Sequence, residues 1–210
     1  MRGDDRRELI LEAATRVFGD YGYFGATTAE VARAAGVSQP YVVRMFGTKQ
    51  QLFVDVLNRA LELLMSTFRA SLAADPEVPA QSRLGMAYVD LASSRGLLLS
   101  LMHAFVLGSD PVIGPVGREG FLRVYRFLRD EAGLTPDDAQ NFLAGGMMIN
   151  TLVGIRMADD FDSDPDVREL MRACVPEKLD ILRALAEPAL EPDRLHGADT
   201  ARAAGTAAAR

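Results

Sequence analysis

The sequence predicts an all-α protein, and three observations carry that expectation. Apolar residues recur at spacings of three and four through most of the 210 residues, and no stretch alternates convincingly with period two. Helix-start signals punctuate the chain, either a Thr with Glu or Gln three residues on, or Asp or Thr directly before Pro.

The first helix carries Ile10, Ala13, Ala14, Val17, Phe18 and Tyr21 on one apolar stripe, and Gly22 sits where a C-terminal glycine would end it. Thr27 and Glu30 form a capping box that opens a short second helix through Val31 and Ala34. Ala35-Gly36-Val37-Ser38 breaks it: Gly36 suits a sharp turn, and Ser38 can cap a third helix, Gln39 to Met45. Gly47-Thr48 breaks the chain again, and Thr48 with Gln51 opens a long helix to about Ala74, with Leu52, Val56, Leu57, Leu63, Leu64 and Phe68 available for burial. After Asp75-Pro76 the pattern gives helices over 80–94, 96–108, 111–132, 136–159 and 165–187. Asp110-Pro111, Thr135-Pro136 and Asp164-Pro165 start the last three, and Pro176 kinks the last. From Pro188 the chain turns Pro-, Ala- and charge-rich, the composition of a flexible tail. The expected domains are 1–50, 51–187 and a tail over 188–210.

Composition narrows the function. At 49% hydrophobic and 25% charged, the chain has ordinary globular proportions. Cys174 is the single cysteine, so no internal disulfide is available and a reducing compartment is expected. Met1 to Glu8 is a mixed-charge stretch rather than an apolar leader, and Leu97 to Leu107 is too short to span a bilayer. A cytoplasmic protein without a membrane partner is expected. The net charge of −6 is uneven: residues 1–50 carry +1, which leaves −7 for the remainder. Charges beyond about 8 Å are largely screened at physiological salt, so only local charge near a polyanion counts.

Thr27 to Lys49 is the most informative stretch. Two short helices joined by a glycine-containing turn make a helix-turn-helix, whose second helix can enter the major groove of DNA. On that helix, Gln39 and Tyr41 can reach base edges or phosphates, and Pro40 and Val42 can meet a thymine methyl. Arg44 and Lys49 can neutralise phosphates, while Thr27, Thr28 and Ser38 at helix starts can offer hydroxyls and N–H groups. Val31, Ala32, Val37, Val43 and Phe46 look like the core behind the motif. The same two-helix pattern also occurs in helical proteins that never touch DNA.

Over residues 8–57 the sequence resembles the N-terminal domain of TetR-family repressors. The matching elements are Ile-Leu-x-Ala-Ala-x-x-Val-Phe (10–18), Gly22-Tyr23, Thr27, Val31-Ala32, Ala35-Gly36-Val37-Ser38, Phe46, Lys49 and Leu52-Phe53. One departure stands out. The family commonly places an aromatic residue in mid-recognition-helix and His or Tyr two residues later, where this chain has Val43 and Met45, with its aromatic at Tyr41 instead. Contacts from those family side chains do not carry over, which leaves more to Tyr41, Arg44 and Lys49.

The resemblance implies a TetR-like architecture, an N-terminal three-helix domain on a larger C-terminal helical bundle. It also implies a double-stranded DNA operator as partner, a homodimer built on the last two long helices, and a small-molecule effector. Ala139, Leu143, Gly146, Gly154 and Met157 are the expected dimer residues. Phe68, Met86, Tyr88, Met102, His103, Phe105, Tyr125, Met147 and Asn150 are the candidate effector contacts, mostly apolar with a few polar groups. Each also reads as plain core, and His103 as a core histidine bonded to a carbonyl one turn back. By the family's mechanism, effector binding shifts the population toward a conformer in which the 48–74 helix swings and releases a palindromic operator. The Gly-rich phosphate loop, metal-ligand cluster or nucleophile–base set of an enzyme is missing, so catalysis, metal and cofactor are not expected. A helical protein acting through protein contacts alone is the remaining alternative.

Overall fold

The computed structural model describes residues 3–74, 76–92, 94–175 and 179–180. Among these, the secondary structure is helical throughout: α1 (Gly3–Gly25), α2 (Thr28–Ala34), α3 (Gln39–Phe46), α4 (Lys49–Ala73), α5 (Ala80–Ala92), α6 (Arg95–Val106), α7 (Ile113–Asp130), α8 (Pro136–Gly154), a 3-10 turn (Met157–Asp160) and α9 (Pro165–Cys174). The expected tail over 188–210 and the kink at Pro176 lie outside the described residues.

Helix boundaries follow their capping chemistry. Gly22 breaks α1 with φ 68°, and one further turn carries the chain to Gly25. The Thr27–Glu30 capping box is complete, and Gly36 makes the turn after α2 at φ 66°. Thr48 caps α4 by accepting from the Gln51 N–H, but the Gln51 side chain bonds Asp55 rather than closing a box. Asp110 accepts from the N–H groups of Val112 and Ile113, both at 2.8 Å, so α7 begins two residues after the expected Pro111. Those two bonds hold the Asp110 carboxyl below the usual carboxylate range. α8 stops at Gly154 instead of running to 159, because Arg156 turns left-handed (φ 57°) into the 3-10 turn.

Three apolar cores divide the work, and α4 joins them. The first packs Ile10, Phe18, Val31, Val42 and Phe46 against Leu52, Phe53 and Leu57, and it also takes in Ala104, Leu107 and Ile113. The second gathers Leu64, Met65 and Phe68 with residues of α5, α7 and α8. The third sets Leu97 and Leu98 of α6 against α8 and α9. Leu63, expected inside, is on the outer side of α4 and exposed. Ion pairs Arg7–Asp55 (2.6 Å) and Arg59–Glu8 (2.5 Å) tie α1 to α4, and Arg69–Glu131 (2.9 Å) ties α4 to α7. Such exposed pairs add little stability, about 0–1 kcal/mol each.

Candidate nucleic-acid interface and effector cavity

α3 turns Val42 and Phe46 into the first core. One helical step away, Gln39, Pro40, Val43 and Arg44 are exposed. This reverses two expectations. Val42 is buried and cannot meet a thymine methyl, whereas Val43 (43% exposed) takes that outward place instead of joining the core. The consecutive valines point about 100° apart, which composition could not resolve.

The other expected contacts divide between outward and structural roles. Tyr41 is half-buried, with the guanidinium of Arg44 5.0 Å and that of Arg6 5.7 Å from its ring centroid. Arg6 is a cation that sequence reasoning missed, because nothing local pairs it with a residue in α3. Ser38 is exposed at the start of α3 and, contrary to expectation, makes no side-chain capping bond. The Gln39 amide donates to Thr28 Oγ1 at 3.1 Å, which links the two helices of the motif. Thr27 does not hold its donors ready for a phosphate. Its N–H and its hydroxyl both donate to Glu30 Oε2 at 2.8 Å. Lys49 is likewise committed: its ammonium donates to Tyr23 O (2.9 Å) and Ala26 O (3.2 Å) and lies 4.7 Å from the Tyr23 ring centroid. It clamps the α1–α2 connection, while Arg44 and Arg6 flank Tyr41 on α3.

Below this unit, α4, α5, α6, α7 and α8 line a cavity of about 80 Å³. Phe68, Tyr88, Phe105, Met147 and Asn150, all expected contacts, line it. Leu57, Asn58, Leu101, Val116, Phe121 and Phe142 line it too, and were missed. Tyr88 Oη donates to Asn150 Oδ1 at 2.7 Å, and burial pushes the Tyr88 hydroxyl up to about 12, so it stays a neutral donor. Met86 lines a separate groove between α5 and α8. Met102 is half-buried outside the cavity lining, and Tyr125 packs on the second core. On α7 the side chains that line the cavity include Val116, Phe121 and Val124, one residue before Tyr125.

His103 sits at the joint between α6 and α1. A Cβ on Gly22 would come within 2.9 Å of its ring, so the glycine and the imidazole fit each other. Burial lowers the His103 pKa from its ordinary 6.5. The unfolded chain therefore binds the proton more readily. The stability of this contact is complete above about pH 6.5 and declines as pH falls through the folded value. Urea midpoints compared at pH 8 and pH 5.5 are expected to fall more in the native protein than in His103→Gln. Parallel changes in the two would contradict this.

The residues expected at a dimer interface mostly face inward. Ala139 is fully buried in the second core, and Leu143 and Gly146 line the cavity, with Gly146 pressed on the Tyr88 ring. Met157 packs on the third core. Only Gly154 is exposed, at the end of α8. Gln140, Asn141, Ala144, Gly145, Met148 and Thr151 are also exposed along α8, and Ile155 just beyond its end.

Residues 10–56 match the family model described as "Bacterial regulatory proteins, tetR family". The HTH-type transcriptional activator FasR of Mycolicibacterium smegmatis is 42% identical over 69 residues, covering 33% of this chain and 32% of FasR. The chain thus aligns with about a third of the length of the curated relatives it matches. Solved structures extend the likeness in fold. A TetR-family member from Streptomyces coelicolor A3 superposes with a TM-score of 0.59 at 23% identity, covering 88% of this chain and 99% of that one. AibR in complex with isovaleryl coenzyme A and operator DNA gives 0.57 at 20% identity, covering 70% and 86%. FasR is named as a transcriptional activator, and no single helix among the described residues of this chain is long and apolar enough to cross a membrane. Residues 10–56 are thus similar to the DNA-binding part of TetR-family regulators, and the described helices share the fold of a solved TetR-family member.

Proposed function

We propose that the protein is a homodimeric repressor that leaves a palindromic operator when a small apolar or amphipathic ligand enters the α4–α8 cavity. The observation that carries the DNA-reading part is the exposed α3 face, where Gln39, Val43 and Arg44 stand clear of the core and Arg6 adds a second cation beside Tyr41. Base edges are read by such a helix, and phosphate contacts fix its register. Two copies about 34–36 Å apart read successive major grooves, which calls for a dimer. The outward side of α8, with Met148 44% and Ile155 60% exposed, is apolar enough to supply its interface. A dimer seated across a promoter represses by occupying it.

The effector part rests on the cavity, which is apolar except for Asn58, Tyr88 and Asn150. That AibR, a protein of this fold, is solved with a coenzyme A thioester and operator DNA supports the same pairing here. The α6 helix lines the cavity through Leu101 and Phe105, and places Ala104 and Leu107 in the DNA-reading core. A ligand that binds one α6 position better than another therefore biases the α3 spacing.

The test is fluorescence anisotropy on duplexes from the gene's own upstream region, at 50 and 200 mM salt. Sequence-selective binding that weakens steeply with salt is expected. Arg44→Ala is expected to lower affinity roughly tenfold or more and to flatten the log–log salt slope by about two, one for each protomer. Weak binding indifferent to sequence, after selection from random duplexes, would sink the reading.

A further inference from the structure

The cavity is not closed on the α6–α7 side. Phe105 and Phe121 line both the cavity and an outer groove of about 400 Å³, which continues over Gly108, Gly114 and Leu122 to Arg118. The two rings meet edge to face, with centroids 5.8 Å apart and planes at 86°. They are 37% and 38% exposed, so they can rotate without disturbing a core. Gly117 belongs to both spaces as well, and its bare backbone lies over Ala104. The passage between them is thus a slot bounded by two movable rings and a side-chain-free stretch of α7.

Charge is distributed unequally along this path. Among the described residues lining the cavity, none is charged, and burying an unpaired carboxylate there would be very costly. At the groove, Arg118 is exposed, donates one bond to Gly108 O (3.1 Å) and joins no ion pair among the described residues. Its remaining donors are available to an anion, and a carboxylate or phosphate matches a guanidinium fork.

We propose that the effector is a single-chain anionic amphiphile whose unbranched apolar chain enters the cavity between Phe105 and Phe121 while its head, carboxylate or phosphate, is held outside by Arg118. This rests on the reading of the cavity as the effector site. It differs in naming the ligand class, the way in and the residue that selects the head.

Calorimetric titration of the full-length protein without DNA tests it, using hexanoate, octanoate, decanoate, octyl phosphate and octanol as probes. Affinity is expected to rise roughly fourfold per added methylene. Octanoate or octyl phosphate, whichever head the groove takes, is expected to bind roughly five- to tenfold tighter than octanol. Arg118→Gln is expected to erase that gap while leaving octanol binding unchanged, and Arg118→Lys to keep part of it. Both changes are at an exposed site, so folding is not at stake. Gly120→Leu, which fills the cavity wall, is expected to remove the chain-length dependence. Octanol binding as tightly as both anions, a gap that survives Arg118→Gln, or affinity indifferent to chain length would overturn the proposal. Operator binding by a protein that ignores every probe would sink this inference alone. Probe binding that leaves operator affinity unchanged would instead sink the effector reading.

Discussion

Gly19→Ala is expected to destabilise the protein by about 3 kcal/mol, at the upper end of what overpacking a core usually costs. A Cβ on Gly19 would lie 2.4 Å from the Gly96 Cα and 3.0 Å from its carbonyl oxygen. The obstacle is backbone, so no rotamer change relieves it. The reciprocal contact is as close, since a Cβ on Gly96 would lie 2.7 Å from Thr15 O. α1 and α6 would have to part, loosening Ala104 and Leu107 from the core they share with Phe18. For a chain of this size the melting temperature is expected to drop by roughly 10 °C. Gly85→Ala is the control: nothing lies within 4 Å of its Cβ, and helix propensity alone makes that change neutral or stabilising by up to about 1 kcal/mol. If Gly19→Ala melts with the control, the α1–α6 contact is looser than described.

That contact was not legible in the sequence, and the reason is physical. Gly19 and Gly96 are 77 residues apart, and each alone reads as a weak helix position. What was legible is local. The Thr27–Glu30 box, the Gly36 turn and the start of α8 at Thr135-Pro136 are each set by atoms within four residues, and all three stand in the structure. The all-α class follows from the same local periodicity. Errors enter where a long-range partner decides. Lys49 looks like a phosphate ligand until two carbonyls from the α1–α2 connection claim its ammonium. Arg6 looks like an idle N-terminal charge until α3 is folded beside it. Periodicity also fixes that a helix has an apolar face without saying what covers it. The Ala139, Leu143 and Gly146 face of α8 is a real face, but α5 and the cavity meet it. Five of the chosen pocket residues line the cavity, because large aromatic and amide side chains concentrate where helices diverge.

Phe68→Ala is expected to cost about 3–5 kcal/mol, the largest single-site loss in the body. The ring is fully buried and sits at the meeting point of four helices, with Phe127 at 5.7 Å, Phe142 at 5.8 Å and Tyr88 at 6.3 Å between centroids. Its removal deletes both the transfer energy of the ring and three aromatic contacts. The adjoining cavity already holds about 80 Å³, so the new void joins an existing one rather than standing alone. A benzene-sized apolar molecule fits such a largely apolar space, and saturating benzene is expected to restore part of the lost stability. Thermal melts with and without benzene check this. A larger rise in Phe68→Ala than in the native protein is the expected result. The functional corollary runs the other way from a simple loss. With the ring gone, the cavity accepts longer chains, so the variant's preference is expected to move toward decanoate even as its melting temperature falls. If truncation instead leaves both stability and chain preference unchanged, Phe68 is not the divider between core and cavity. The walls of the effector site would then have to be sought among Leu61, Leu64 and Val124.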